Sequence, residues 1–317
     1  RAGRDGAARA PLGAALAVAR AERVRLNGHH GAGAPYTTYR IRFAKLGRAA
    51  FLGHLDLLRL LARSFRRADL PLAMTRGFSP KPRISFGPAL GLGVPSLGEV
   101  IDADLEHVVP GHRSWETDAG PRVELSADEV HERLAAVCPP GIELTDCTIV
   151  RLAGHVAAGP IPDPGLGKWI DAVDVLIQPA PDGITYDAAR LQRRIDALLA
   201  RAEAPIARGD KTVDVRALVV EASAIVDEAA DRLCAALDWP AGGLIRVRVR
   251  ATAEGSAKPS EVARVLGVWG PDEPTARHAL IARLGVVARG AASVPVRVAP
   301  PAAGNSTGLG SGGPPPG

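Results

Sequence analysis

The sequence predicts an α+β fold made of two tandem ferredoxin-like halves, each running βαββαβ with an antiparallel sheet. Three observations predict it. Apolar residues alternate with polar ones in short runs such as Tyr39–Ala44 and Leu244–Thr252, which is the period of half-buried strands. Longer runs at 54–68, 126–137 and 187–202 place apolar residues three and four apart, as in helices with one buried face. The order of these patterns before residue 153 recurs after residue 168, and βαββαβ is the order in which two helices cover one face of a four-stranded sheet.

Residues 1–35 are an Ala-, Gly- and Arg-rich stretch, expected to be a disordered extension. In the first half, 36–153, Tyr39–Ala44 reads as a strand. His54–Ala68 reads as a helix that buries Leu55, Leu58, Leu61, Ala62 and Phe65. Arg83–Leu92 and Glu99–Leu105 are two more strands around a Gly-Pro turn region. Ser126 caps a helix running through Val137, with Glu129 completing a capping box, and Pro139-Pro140-Gly141 stops it before the strand Ile142–Val150. A Gly/Pro linker at 154–167 leads into the second half, 168–290. There Trp169–Ile177, Thr212–Val220, Leu244–Thr252 and His278–Val287 read as strands, and Asp187–Ala202 and Pro259–Leu266 as helices, with Gly267 as the last helix's stop. Residues 221–243 form an insertion with its own helix, Val226–Leu237, and 291–317 read as a disordered tail.

Composition narrows the function classes. The 317 residues are 46% hydrophobic without an apolar run of membrane-spanning length, so a soluble cytoplasmic protein is expected. Cys138, Cys147 and Cys234 are scattered and odd in number, which suits a reducing compartment better than a disulfide scaffold. No C-x-x-x-C-x-x-C triad is present to hold the iron–sulfur cluster of a radical SAM enzyme, and no metal or cofactor is expected. Arg outnumbers Lys in a way that codon usage in a GC-rich genome also produces. The clustering of charge is therefore more informative than the net +5.

That clustering is strong. Between Arg40 and Arg83 there are eleven basic residues against two acidic ones, Asp56 and Asp69, an excess of nine in one segment. On the helix, Arg59, Arg63, Arg66 and Arg67 fall on the open face without interleaved carboxylates, and they lead into Arg76-Gly77-Phe78-Ser79-Pro80-Lys81-Pro82-Arg83. Unneutralised arginine over that length favours a polyanion, with Arg59, Arg63, Arg66, Arg67, Arg76, Lys81 and Arg83 on phosphates. Phe78 either stacks on an unpaired base or plugs the core beneath the loop. Arg246, Arg248 and Arg250 alternate with Ile245, Val247 and Val249, which predicts a second, solvent-facing basic strand.

His54 is the candidate catalytic residue. At a helix start its imidazole is disposed to be neutral and to act as a base, with Ser85, Lys81 or Arg76 as neighbours. Asp102 and Asp104 share a strand face but lack a metal-ligand pattern and read as surface polarity, and His107 and His112 fall in an irregular loop. Asp214 and Arg216 read as a structural pair or as a substrate contact. Gly87, Gly91 and Gly93 let a backbone approach a partner but belong to no nucleotide-binding fingerprint.

The strand Tyr39-Arg40-Ile41-Arg42-Phe43, the run FLGHLDLLR from Phe51, the run LPLAMTRGFSPKPRISFGPALGLG from Leu70 and Gly98-Glu99-Val100-Ile101-Asp102 together resemble the radical SAM-linked protein family. The match thins but continues through KTVDVR at 211–216 and GSAKPSEV at 255–262. The resemblance implies a bacterial domain of unknown function, fused to or encoded beside a radical SAM enzyme, and carries over no catalytic residue. The order of elements is also similar to that of RAMP-type CRISPR RNA-processing endonucleases. Three functions follow as expectations: an accessory protein that binds RNA or an RNA–protein substrate for a radical SAM partner, a metal-independent endoribonuclease using His54, or a scaffold whose basic face docks the partner enzyme.

Overall fold

The computed structural model describes residues 36–75, 78–109, 122–151, 165–179, 187–251, 256–268 and 279–290. The expected extension and tail, residues 154–164 of the expected linker, Arg76 and His112 lie outside them. The protein is α+β, with a sheet that is mainly antiparallel.

Strand β1 (Tyr36–Lys45) sends Tyr39, Ile41 and Phe43 to one face and Thr38, Arg40 and Arg42 to the other. The apolar set packs under α1 (His54–Arg67) through Leu57, Leu61 and Phe65, and under α2 (Ala127–Ala135) through Val130 and Leu134. Helix α1 thus buries the row 57–61–65, and Leu55, expected inside, is 63% exposed. Leu55 lies six residues from Leu61, which turns it about 120° away from the buried row. Asp69, at φ 55°, ends the helix, and the Leu70 N–H closes back on the Phe65 carbonyl at 2.9 Å. Ser126 caps α2 by accepting from the Glu129 N–H at 3.1 Å. The Glu129 carboxylate turns to Arg133 one turn further on instead of closing a capping box.

With β2 (Ile84–Phe86), β3 (Ser96–Glu106) and β4 (Ile142–Arg151), the first half has the strand order β4-β1-β3-β2, antiparallel throughout. The expected strand Arg83–Leu92 shortens to three residues, because Pro88 has no N–H to continue the ladder. Residues 71–73 extend the line of β2 along β3: Pro71 accepts from the Glu106 N–H at 2.8 Å, and the Ala73 N–H donates to the Asp104 carbonyl at 2.8 Å. Between these two pieces the chain leaves the sheet edge at residue 74 and returns at residue 82. The Arg83 N–H closes this excursion on the Ala73 carbonyl at 2.9 Å, and the Thr75 N–H does so on the Lys81 carbonyl at 2.8 Å.

The second half comprises α3 (Leu166–Trp169), β5 (Ile170–Gln178), α4 (Ala188–Leu199), the hairpin β6 (Pro205–Arg208) and β7 (Lys211–Asp214), α5 (Val215–Leu218), β8 (Val219–Ile225), α6 (Asp227–Leu237), β9 (Leu244–Arg250), α7 (Pro259–Val265) and β10 (Leu280–Ala288). Its order is β10-β5-β9-β8, again antiparallel. The expected strand Thr212–Val220 is broken. The Asp214 carboxylate accepts from the N–H groups of Arg216 and Ala204, at 3.0 and 2.8 Å, which ends β7 and starts the turn α5. The first residues of the expected insertion therefore belong to β8, and α6 alone fills the connection to β9.

The halves meet in one sheet path through a parallel contact of β3 with β10, at Ser96 and Arg283. Just beyond it, Gly98 lies against Gly285, where a Cβ would stand 2.9 Å from both the Gly285 Cα and the Leu284 carbonyl oxygen. Adjacent residues of β3 consequently serve different cores: Ile101 joins α1 and α2, while Val100 joins the second-half core with Ile170, Leu191 and Val262. Arg283, buried at the joint, donates to the Glu99 carboxylate at 2.9 Å and to the carbonyls of Pro88 at 2.8 Å and Ala89 at 2.9 Å. Among the described residues no helix is long and apolar enough to cross a membrane.

The close approach at the joint makes a test. Gly98→Ala pushes a methyl into backbone that has no side chain to move, so urea unfolding is expected to show a loss of about 1–3 kcal/mol. Unchanged stability would show that β3 and β10 do not touch there.

Candidate nucleic-acid interface

The arginines divide by what the fold does with them. On the face of β1 and β3 turned away from α1 and α2, Arg40 grips Asp102 with two hydrogen bonds of 2.8 and 2.9 Å, and both residues are buried. Thr38 donates to Asp104 at 2.7 Å. Arg83 reaches the same carboxylate at 2.7 Å, donates to the Tyr36 hydroxyl at 2.9 Å and lies over the Tyr36 ring. Trp169 of α3 covers Arg40 and Arg42, its ring 4.1 and 5.3 Å from the two guanidinium carbons. Burial lowers the pKa of Arg42, opposed by Asp146, and burial lowers that of Lys45, opposed by Glu99. Asp102 and Asp104 are thus buried counter-charges rather than surface polarity. His107, in the irregular stretch after β3, is likewise buried, its Nε2 3.1 Å from the Thr37 hydroxyl.

The second half repeats this arrangement. Arg246 and Arg248 both close on Asp174, at 2.7 and 2.8 Å, and Arg248 adds Glu221 at 3.2 Å. Two arginines of the expected solvent-facing basic strand are therefore paired with carboxylates, and of the three arginines Arg250 alone is exposed. Asp214 and Arg216 form no side-chain pair, since Asp214 caps α5 while Arg216 donates to the Leu199 carbonyl at 3.3 Å.

Within the segment 40–83, the exposed cations among the described residues are Arg48, those on the outer face of α1, and Lys81. Arg59, Arg63, Arg66, Arg67 and Lys81 are all exposed. Arg59 lies 3.6 Å from Asp56 in an exposed pair, while Arg63, Arg66, Arg67 and Lys81 meet no carboxylate within ion-pair distance among the described residues. Arg66 and Arg67 sit in the last turn of α1, where the helix dipole favours cations, but that does not account for Arg63 or Lys81. Phe78 has 110% relative exposure and so does not plug the core. Phe51, Leu55 and Leu92 are also exposed, and the Gly93 N–H, 3.0 Å from the Ala50 carbonyl, brings the loop carrying Leu92 beside Phe51. Of the residues singled out from the sequence, the structure groups four arginines on one helix face, sets Lys81 and Phe78 on the excursion and turns Arg83 inward. The role of Trp169 had no sequence signal, because its cation partners lie more than a hundred positions away.

His54, the first residue of α1, is exposed and meets the Phe86 ring edge-on, with ring centroids 4.7 Å apart. No carboxylate or hydroxyl is hydrogen-bonded to it among the described residues. Burial pushes the Cys138 thiol up to about 11 and the Cys147 thiol up to about 12, in the first case against a hydrogen bond from Ser64 and in the second reinforced by Asp146. Neither thiol is activated as a nucleophile. Among the described residues no group of three or more His, Cys, Asp or Glu side chains is arranged to hold a metal ion.

Two outcomes test this division. Asp174→Ala leaves Arg246 without its carboxylate and Arg248 with Glu221 alone, and is expected to cost about 3 kcal/mol in chemical denaturation. A loss no larger than that of an exposed substitution would remove the assigned role. A raised thiol pKa keeps the group protonated below it, so Cys138 and Cys147 are expected to resist iodoacetamide at pH 8 in the folded protein and to react once urea unfolds it. Rapid labelling of either under native conditions would contradict the burial.

No curated protein matches the chain. A family described as uncharacterized protein conserved in bacteria (DUF2344) matches residues 38–259, a span that runs from the third residue of β1 through β9 and includes the arginine face of α1 and the excursion. On that match, which covers more than half of the sequence, the chain belongs to the bacterial DUF2344 family.

Proposed function

We propose that this protein binds RNA through the outer face of α1 and the excursion at 74–82, as an accessory that presents RNA or an RNA–protein substrate to a radical SAM enzyme. One observation carries the RNA reading. Arg40, Arg83, Arg246, Arg248 and Arg283 are each given a carboxylate, whereas Arg63, Arg66, Arg67 and Lys81 are held out in solvent with no carboxylate at ion-pair distance among the described residues. Cations left unpaired on one helix face and on the excursion create the positive potential that a phosphate backbone seeks. The radical SAM partner rests on the resemblance of the segments 39–43, 51–59, 70–93 and 98–102. The orders β4-β1-β3-β2 and β10-β5-β9-β8, each with two crossover helices, support reading the halves as repeated ferredoxin-like units.

A second reading, docking of a protein, is favoured by Phe51, Leu55 and Leu92, exposed at the N-terminal end of the same face. RNA binding needs no aliphatic groups such as Leu55 and Leu92. The two readings coexist if RNA lies along the arginines while a protein meets the apolar end.

The charge reversals Arg63→Glu, Arg66→Glu and Lys81→Glu are expected to weaken RNA binding and to lower the log–log salt slope by about 0.7–0.9 for each phosphate no longer neutralised. Arg232→Glu, at an exposed arginine on α6, is the control and should change neither quantity. Equal behaviour of all four variants in fluorescence anisotropy would remove the RNA assignment.

A further inference from the structure

We infer that Phe78, with Met74, Thr75 and residues 79–82 around it, forms a base-stacking arm, so that the RNA is single-stranded where it meets this ring. The inference rests on the RNA-binding reading and adds the class of RNA.

The arm is anchored at both ends to a sheet edge. Its root is fixed where Ala73 and Arg83 both bond to Asp104 of β3, the former donating to its carbonyl at 2.8 Å and the latter accepting from its N–H at 3.1 Å. Met74 bridges Pro82, and the Lys81 N–H donates to the Thr75 hydroxyl at 2.9 Å. The guanidinium of Arg83 is tied down by Asp104 and Tyr36, and Pro80 and Pro82 restrict the backbone between. Folding has therefore already met much of the entropic cost of placing Phe78, which lowers what a ligand must supply.

Phe78 itself is placed against the hydrophobic effect. Burying a phenylalanine side chain contributes about 1.5–3 kcal/mol, and here that contribution is forgone entirely, since the ring is wholly exposed. Its neighbours Ser79, Pro80 and Lys81 are exposed as well, so the ring stands on a polar, cationic tip rather than within an apolar docking patch. No acidic residue occurs between Asp69 and Glu99, which leaves the local potential positive. A flat apolar ring beside a free ammonium suits one kind of ligand, an unpaired base next to its own phosphate. A duplex already stacks its bases on one another, and opening a step costs a few kcal/mol, so double-stranded RNA has no free face for the ring.

The test uses the full chain, a short unstructured RNA and the same RNA annealed to its complement. Phe78→Ala is expected to weaken binding of the single strand by about 5- to 150-fold, the effect of removing one stacked base. It should leave duplex binding and the salt slope unchanged, because a phenyl group releases no counterions. Phe78→Trp is expected to retain the affinity, and Arg63→Glu to weaken both RNAs. Binding unaffected by Phe78→Ala, or weakened equally for both RNAs, while Arg63→Glu still acts, would overturn the arm and leave the RNA reading standing. Failure of the unmodified protein to bind either RNA would overturn both.

Discussion

Carboxylates lying under arginines on covered sheet faces are the constraint on which the remainder of this structure depends. Helices α1 and α2 close one face of the first half, and the start of the second half, Trp169 and Ile170, closes the other. A guanidinium taken out of water there needs a counter-charge within hydrogen-bonding distance, because an isolated buried ion costs several kcal/mol. Asp102, Asp104, Glu99 and Asp174 provide it for Arg40, Arg83, Arg283 and the Arg246–Arg248 pair. Each pair is also directional, so it fixes strand register as well as neutralising charge.

The joint between the halves follows from the same constraint. β10 pairs with β3 at Ser96 and Arg283 and packs against its backbone at Gly98 and Gly285, and polar groups at that joint converge on Arg283. Its guanidinium satisfies Glu99 and two loop carbonyls together, linking the loop after β2 to the second half. The excursion at 74–82 is rooted in the same strand, β3, and is held to it through Asp104.

The proposed binding surface is drawn from what this internal pairing leaves over. Eleven basic residues crowd the segment 40–83, and the fold withdraws Arg40, Arg42, Lys45 and Arg83 from the surface patch, by ion pairing, ring contact or burial. Among the described residues of that segment this leaves Arg48, the α1 face and Lys81 exposed, while Arg246 and Arg248 of β9 are paired with Asp174 and Glu221.

The sequence by itself determined the α+β class, the helices at 54–67, 127–135, 188–199 and 227–237 to within a few residues, and the open face of α1, because three- and four-residue spacing and capping residues act over one turn of chain. It also marked Arg59, Arg63, Arg66 and Arg67 as sharing that face. Only the tertiary structure decided which cations are free. Alternation along β1 and β9 says that arginines and apolar residues point opposite ways, but not whether the polar side meets water or another layer. That choice depends on Asp102, Asp174 and Trp169, which approach from positions tens to more than a hundred residues distant, and on the missing side chains at Gly98 and Gly285 that let the two halves close. Long-range burial of charge leaves no local period in a sequence, so it becomes visible only once the chain has folded.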